Sequence, residues 1–371
     1  MDGIARTSAP RSSGAAIPTL VGVAFGRENN FNLLRMIAAS MVMFSHSYAL
    51  SGHLRDEPLS IASAFRTDVA TVGVTIFFAI SGFLIAQSLT RTPSLAAYAV
   101  ARGLRILPGL ALATLLCVAV GWAATTLTTA EYWHHALTWR FLLGTPVLLL
   151  IDRLPGVFEA NPLPLGINGS LWTIPVEAWC YVAAAVFAAI GVLRRRALML
   201  GLVVIALVAN VLIPEIVYSA MPDRGLGLIP VLIGTFLFGA WLFVERDRVP
   251  VSRVLAIVAI VIAIAAADSR YFMYAYVIAI AYAALVFALH PRLHVAAYLR
   301  LGDYSYGTYV LAFPIQQLLV WRFGIAQPLA LFALTFVVTL PLASLSWHYI
   351  EKPALALKER LRARRLAAAA S

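Results

Sequence analysis

Charge is scarce in this chain. Of 371 residues only 12% are Asp, Glu, Lys or Arg, about half the share found in an ordinary soluble domain, which excludes a water-soluble globular surface. Cysteine is almost absent. Cys117 and Cys180 both lie in apolar runs, so they offer neither a disulfide framework nor a metal-ligand spacing and read as small core residues. The chain also lacks a Gly-rich phosphate loop, an HExxH pair and a GxSxG elbow, which removes nucleotide-loop, zincin and serine-hydrolase chemistry. No metal is expected. The first thirty residues are rich in Ser, Gly, Ala and Arg and carry no cleavage-site pattern, so no leader is expected to be removed.

What replaces charge is long hydrophobic runs. Hydrophobic residues make up 61% of the chain and mean hydropathy is +0.86, the composition of a polytopic membrane protein. The net charge of +11 does not indicate a nucleic-acid partner, because the basic residues gather at the ends of apolar runs rather than on one soluble face. Segments able to span about 30 Å of hydrocarbon fall at 31–50, 70–90, 106–126, 170–192, 197–214, 228–244, 251–267, 272–289, 302–322 and 328–349. With the N-terminus in the cytoplasm, the inner loops and tails hold 20 Lys and Arg and the outer loops 6. The positive-inside rule selects that orientation. The expected fold is all-α, a polytopic membrane helix bundle of about ten transmembrane helices with both termini cytoplasmic. A cytoplasmic tail that is expected to be disordered (1–28) precedes one membrane domain (29–355), and a basic tail (356–371) follows it. The apolar stretch 136–151 is short and broken by Gly144 and Pro146, so it reads as a re-entrant or interfacial element, since counting it as a span would invert every later loop.

Ionisable side chains inside such segments are expensive and mark function by default. Arg35 and His46 share the first segment. Eleven helical steps place them on one face, about 16 Å apart. Two readings fit them: an interfacial Arg reaching for headgroups with a His bonded to a neighbouring helix, or a working pair. Arg102 and Arg105 are three apart and share a face at the start of the third segment, suited to phosphate or to ordinary flanking. Glu177 sits about two turns into the fourth segment, as a structural partner to Arg or Tyr or as a pocket carboxylate. Asp303, Tyr304, Tyr306, Tyr309, Gln316, Gln317 and Arg322 complete the embedded set. An imidazole ordinarily titrates near neutrality, which suits His46 to general-base work.

The order of local motifs resembles the acyltransferase-3 family of membrane O-acyltransferases. Phe31-Asn32-Leu33-Leu34-Arg35 leading to Phe44-Ser45-His46, then Gly73 to Ile85, look like its opening. Arg102-Gly103-Leu104-Arg105 is similar to its paired-arginine motif and Gly169-Ser170-Leu171-Trp172 through Glu177 to its Ser-Leu-Trp motif. Gly302-Asp303-Tyr304-Ser305-Tyr306-Gly307-Thr308-Tyr309 and Ile350-Glu351-Lys352-Pro353 close the pattern. The resemblance implies transfer of an acyl group, commonly acetyl, from cytoplasmic acyl-CoA to a hydroxyl of a sugar in a surface polysaccharide or its lipid-linked precursor. The setting it implies is a bacterial inner membrane, with acyl-CoA as a donor substrate rather than a bound cofactor. It makes His46 the catalytic base, Arg35 its partner, Arg102 and Arg105 donor-site residues, and Glu177, Trp172 and Tyr309 pocket residues. Two departures stand out. Ala312 occupies the place of a second histidine that many members carry before the Pro, and only about twenty residues follow Lys352, so acceptor chemistry is expected to rest on the membrane domain. The rival class is a transporter or flippase for a glycan or small polar solute, which ten spans with embedded charges suit equally; dependence on acyl-CoA separates the two.

Overall fold

The computed structural model describes residues 18–21, 29–61, 67–92, 94–164, 166–220, 226–293, 295, 298 and 302–357, with the backbone alone described for 210–220. Among them there are helices and two isolated β-bridges but no strand. The ten longer helices are α1 (Phe31–Leu50), α2 (Val69–Arg91), α3 (Leu95–Ala124), α4 (Thr173–Ala189), α5 (Arg196–Ala220), α6 (Ile229–Val244), α7 (Arg253–Ala265), α8 (Phe272–Leu289), α9 (Ser305–Phe323) and α10 (Pro328–Ser346). Each falls on one of the ten apolar segments of the sequence. Among the described residues five helices are long and apolar enough to cross a membrane: α1, α2, α3, α8 and the last, which continues past Ser346 to Leu357. Helices α4, α6, α7 and the Arg196–Ala209 part of α5 are apolar but shorter.

Local chemistry sets where these helices start. Asp68 caps α2 by accepting from the Thr71 N–H at 2.6 Å, and Ser94 caps α3 by accepting from Ala97 at 3.2 Å, each satisfying an N–H that has no partner within its helix. Because the Ser94 cap lies so early, α3 begins eleven residues before the expected segment and runs through Pro108, whose missing N–H forfeits one hydrogen bond. Arg102 and Arg105 are therefore the eighth and eleventh residues of a 30-residue helix, two to three turns inside it rather than at its mouth. The 136–151 stretch forms a helix at Ala136–Gly144 and a 3-10 turn at Thr145–Val147. Nine residues rise about 14 Å, too short to cross. Trp122, Trp133 and Trp139 pack in series with ring centroids 6.2 and 6.3 Å apart, the kind of aromatic group that sits at a membrane interface.

In the stretch read as an N-terminal tail, residues 18–21 pack: the Leu20 N–H donates to the Val249 carbonyl at 2.9 Å and its side chain is fully buried. The rest of 1–28 beyond those four residues, and 358–371, lie outside the described residues.

Helix α2 is the centre of the bundle, the most buried of the five long apolar helices. Its approach to α6 is set by glycine on both sides. A methyl group on Gly82 would lie 1.9 Å from the Phe236 carbonyl oxygen, and one on Gly239 would lie 2.2 Å from that of Ala79, the close backbone packing that small residues allow between membrane helices. Mid-helix Gly→Ala ordinarily stabilises by about 0.5–1 kcal/mol, whereas overpacking costs about 1–3 kcal/mol. Gly82→Ala and Gly239→Ala should therefore lower the thermal midpoint in detergent, while Gly201→Ala on α5, with open space around it, should raise it. Equal shifts in all three would contradict the close contact.

Candidate active site

Helices α1, α2, α3, α4 and α9 line a partly open cavity of about 90 Å³, with Arg35, Arg102, Arg105, Ser81, Glu177, Tyr181, Tyr306 and apolar side chains of α2, α3 and α4 in its wall. Two of its three arginines are already paired. Arg35 Nη1 lies 3.3 Å from Asp303 Oδ2 and 3.4 Å from Asn32 Oδ1. Arg105 Nη2 approaches the same Asp303 oxygen at 2.6 Å, and its Nη1 lies 3.8 Å from Glu351 Oε2. The Ser305 hydroxyl donates to Asp303 Oδ1 and the Ser346 hydroxyl to Glu351 Oε1. Such supporting bonds are what a desolvated ion pair needs to hold its place. Glu351 reaches inward because the last helix widens into a π turn at Trp347–Glu351, where the Lys352 N–H bonds the Trp347 carbonyl, just before Pro353, which has no N–H to give.

Arg102 is different. Its guanidinium carbon lies 5.9 Å from the ring centroids of both Tyr98 and Tyr181, its Nε is buried without a hydrogen-bond partner, and among the described residues it forms no salt bridge. Glu177 is not its counter-ion: Glu177 Oε1 accepts from the Tyr181 hydroxyl at 2.5 Å and the Ser81 hydroxyl at 3.0 Å. Of the two partners open to that carboxylate from sequence, tyrosine is the one found. Arg102 is the cation left to meet an outside anion.

A second cavity, of about 140 Å³, lies towards the other end of α1, lined by His46, Asp68, Thr71, Ser170, Trp172 and Tyr309 among others. The His46 imidazole packs edge-on to Phe313, with centroids 5.1 Å apart. Among the described residues no protein group hydrogen-bonds it. Ser170 is positioned by Asn168, whose Oδ1 accepts from the Ser170 N–H at 3.1 Å while its Nδ2 donates to the Val310 carbonyl at 2.8 Å. Further along α9, buried Gln316 donates to the Met43 carbonyl and the Ser47 hydroxyl, fixing α9 beside the His46 turn of α1.

The structure thus divides the residues singled out by sequence. Arg35, Arg102, Arg105, Glu177 and Tyr309 line the first cavity, and His46, Trp172 and Tyr309 the second. Arg35 is held by Asp303 rather than by His46. Val74 and Tyr309 are the residues common to both linings. The Tyr309 hydroxyl donates to the Ser170 carbonyl at 3.1 Å and shares a 2.7 Å hydrogen bond with Thr173, and its ring meets Phe77 edge-on at 5.6 Å. Sequence reasoning did not give Asp303, Glu351, Ser81, Tyr181 and Asp68 their places. Asp303 had a signal, being one of two acids, with Glu177, among the embedded groups that could neutralise the arginines, whereas the inward turn of Glu351 had none.

One cavity thus presents an arginine with no salt bridge, and the other an imidazole with no protein hydrogen bond, among the described residues. Residues 28–348 match the acyltransferase domain of the acyltransferase-3 family, and the chain belongs to that family. It is 30% identical over 345 residues to an O-acetyl transferase of Shigella phage Sf6, spanning 88% of this chain and 96% of that one. It is also 31% identical over 378 aligned positions to nodulation protein 10 of Rhizobium leguminosarum bv. viciae, spanning 93% and 98% of the two chains. No solved structure matches it. The protein is an O-acetyltransferase-like membrane enzyme.

Proposed function

We propose that this enzyme moves an acetyl group from acyl-CoA to a hydroxyl of a sugar in a surface polysaccharide or its lipid-linked precursor, with His46 as general base. It would cross a bacterial inner membrane ten times with both termini in the cytoplasm, the arrangement that its loop charges favour. The observation that carries the reading is the unpaired Arg102 in a cavity that backs onto the His46 cavity across Tyr309. Arg102 takes a CoA phosphate, with Arg35 and Arg105 adding positive field, and the pantetheine arm runs along the apolar walls towards Val74. The acceptor sugar lies against Trp172 with a hydroxyl at His46. His46 takes the hydroxyl proton as the oxygen attacks the thioester carbonyl. The carbon–sulfur bond then breaks, and the CoA thiolate leaves with that proton.

Purified protein in lipid nanodiscs, given radiolabelled acetyl-CoA and a cell-envelope glycan extract from the host, should release CoA thiol and transfer label to glycan. If it neither releases thiol nor binds acetyl-CoA, the protein is to be read as a glycan or solute transporter instead. A hydrogen bond to a charged group contributes about 1.5–3 kcal/mol, so Arg102→Ala should raise KM for acetyl-CoA about 10- to 100-fold. An unchanged KM would remove Arg102 from the donor site.

A further inference from the structure

The geometry points to Val74, Phe77 and Tyr309 as a size filter that restricts the donor to the shortest acyl thioesters, an inference that rests on the acyl-transfer reading above. Val74 and Tyr309 stand between the arginine cavity and the His46 cavity, and Phe77 braces the Tyr309 ring from the arginine side. For the acceptor oxygen at His46 to reach the thioester carbonyl, the acyl group must enter the gap between these side chains.

That gap is stiff. The side chain of Val74 is β-branched and holds one rotamer in a helix, and the Tyr309 hydroxyl is clamped between Thr173 and the Ser170 carbonyl. The backbone behind Tyr309 cannot easily retreat. The next carbonyl, that of Val310, accepts from Asn168 at 2.8 Å, and at Gly307 α9 lies so close to α10 that an added methyl would sit 2.9 Å from the Ala343 Cα. Each methylene beyond acetyl must therefore displace packed atoms, an effect worth roughly 10- to 200-fold in a fitted pocket.

The test measures thiol release from acetyl-, propionyl-, butyryl- and hexanoyl-CoA by the full chain in nanodiscs, with the same glycan extract as acceptor. Wild type should prefer acetyl- over butyryl-CoA by more than tenfold in kcat/KM. Val74→Ala and Phe77→Ala should reduce that preference to less than about threefold, whereas Leu84→Ala should keep it, since it enlarges the arginine cavity ten residues, about 15 Å, along α2 from Val74. Wild-type turnover of hexanoyl-CoA within threefold of acetyl-CoA overturns the filter without any variant. Wall variants that keep the wild-type preference overturn it and leave acyl transfer standing. No thiol from any acyl-CoA overturns acyl transfer itself, and the filter falls with it.

Discussion

His46→Ala should leave folded protein that binds acetyl-CoA normally and transfers its acyl group about 10²- to 10⁴-fold more slowly, the usual contribution of a positioned general base. The separation of the two effects follows from the architecture. His46 lines the cavity with Trp172 and Asp68, while the arginines line the other, so losing the imidazole removes the proposed proton acceptor and leaves the proposed anion site untouched. Its ring touches Phe313 and is tied down by no protein hydrogen bond among the described residues, which keeps both nitrogens open to an acceptor hydroxyl and makes the alanine variant a small structural change. Calorimetric titration with acetyl-CoA beside the thiol assay provides the check. A Kd weakened in step with the rate would mean that His46 belongs to the donor site and that the division of labour between the cavities is wrong.

Asp303→Ala should be among the most damaging single changes to stability in the described part of the molecule, about 3–5 kcal/mol. One carboxylate oxygen, Oδ2, serves Arg35 from α1 and Arg105 from α3, and the Asp303 side chain is only 7% exposed. Without it two largely buried guanidinium groups share only Glu351, 3.8 Å from Arg105, and repel each other. Asp303→Asn preserves the shape and loses the charge, so it should fall nearly as far, which marks the effect as electrostatic rather than steric. Asp247→Ala gives the contrast. Its bridge to Arg196 lies at the surface, with the side chains 48% and 37% exposed, where screened pairs contribute little, and its thermal midpoint should not move. Detergent-solubilised thermal unfolding of the three variants decides it: equal losses for Asp303→Ala and Asp247→Ala would refute the claim that burial makes the Asp303 node special.

The helix positions were legible because runs of apolar residues with basic ends leave few alternatives, and all ten segments carry a helix. Where the reading slipped, the competing signal was local. Arg102 and Arg105 look like flanking charges, so α3 was started at 106 rather than at Leu95, and the quieter Ser94 cap was passed over. The periodicity of α1 correctly put Arg35 and His46 on one face, yet a shared face says nothing of what closes over it. Residues of α2 and α9, Val74 and Tyr309, split that face between two cavities, and long-range packing of this kind leaves no trace in spacing. Glu351 was unreadable for a related reason: a π turn rotates every later side chain away from the 3.6-residue register from which a face is inferred.

The node at Asp303 also orders events in the making of the protein. Its ligands come from opposite ends of the chain, Arg35 from the first long helix and Glu351, through Arg105, from the last. A nascent chain that has inserted its early helices has a desolvated Arg35 with no acid to meet it until Asp303 emerges just ahead of α9, and Arg105 has no second acid until the last helix is made. The arginine cavity is therefore assembled only when synthesis is nearly finished, and a ribosome-bound or truncated chain lacking the last two helices lacks the wall that Ser305, Tyr306 and Tyr309 give it.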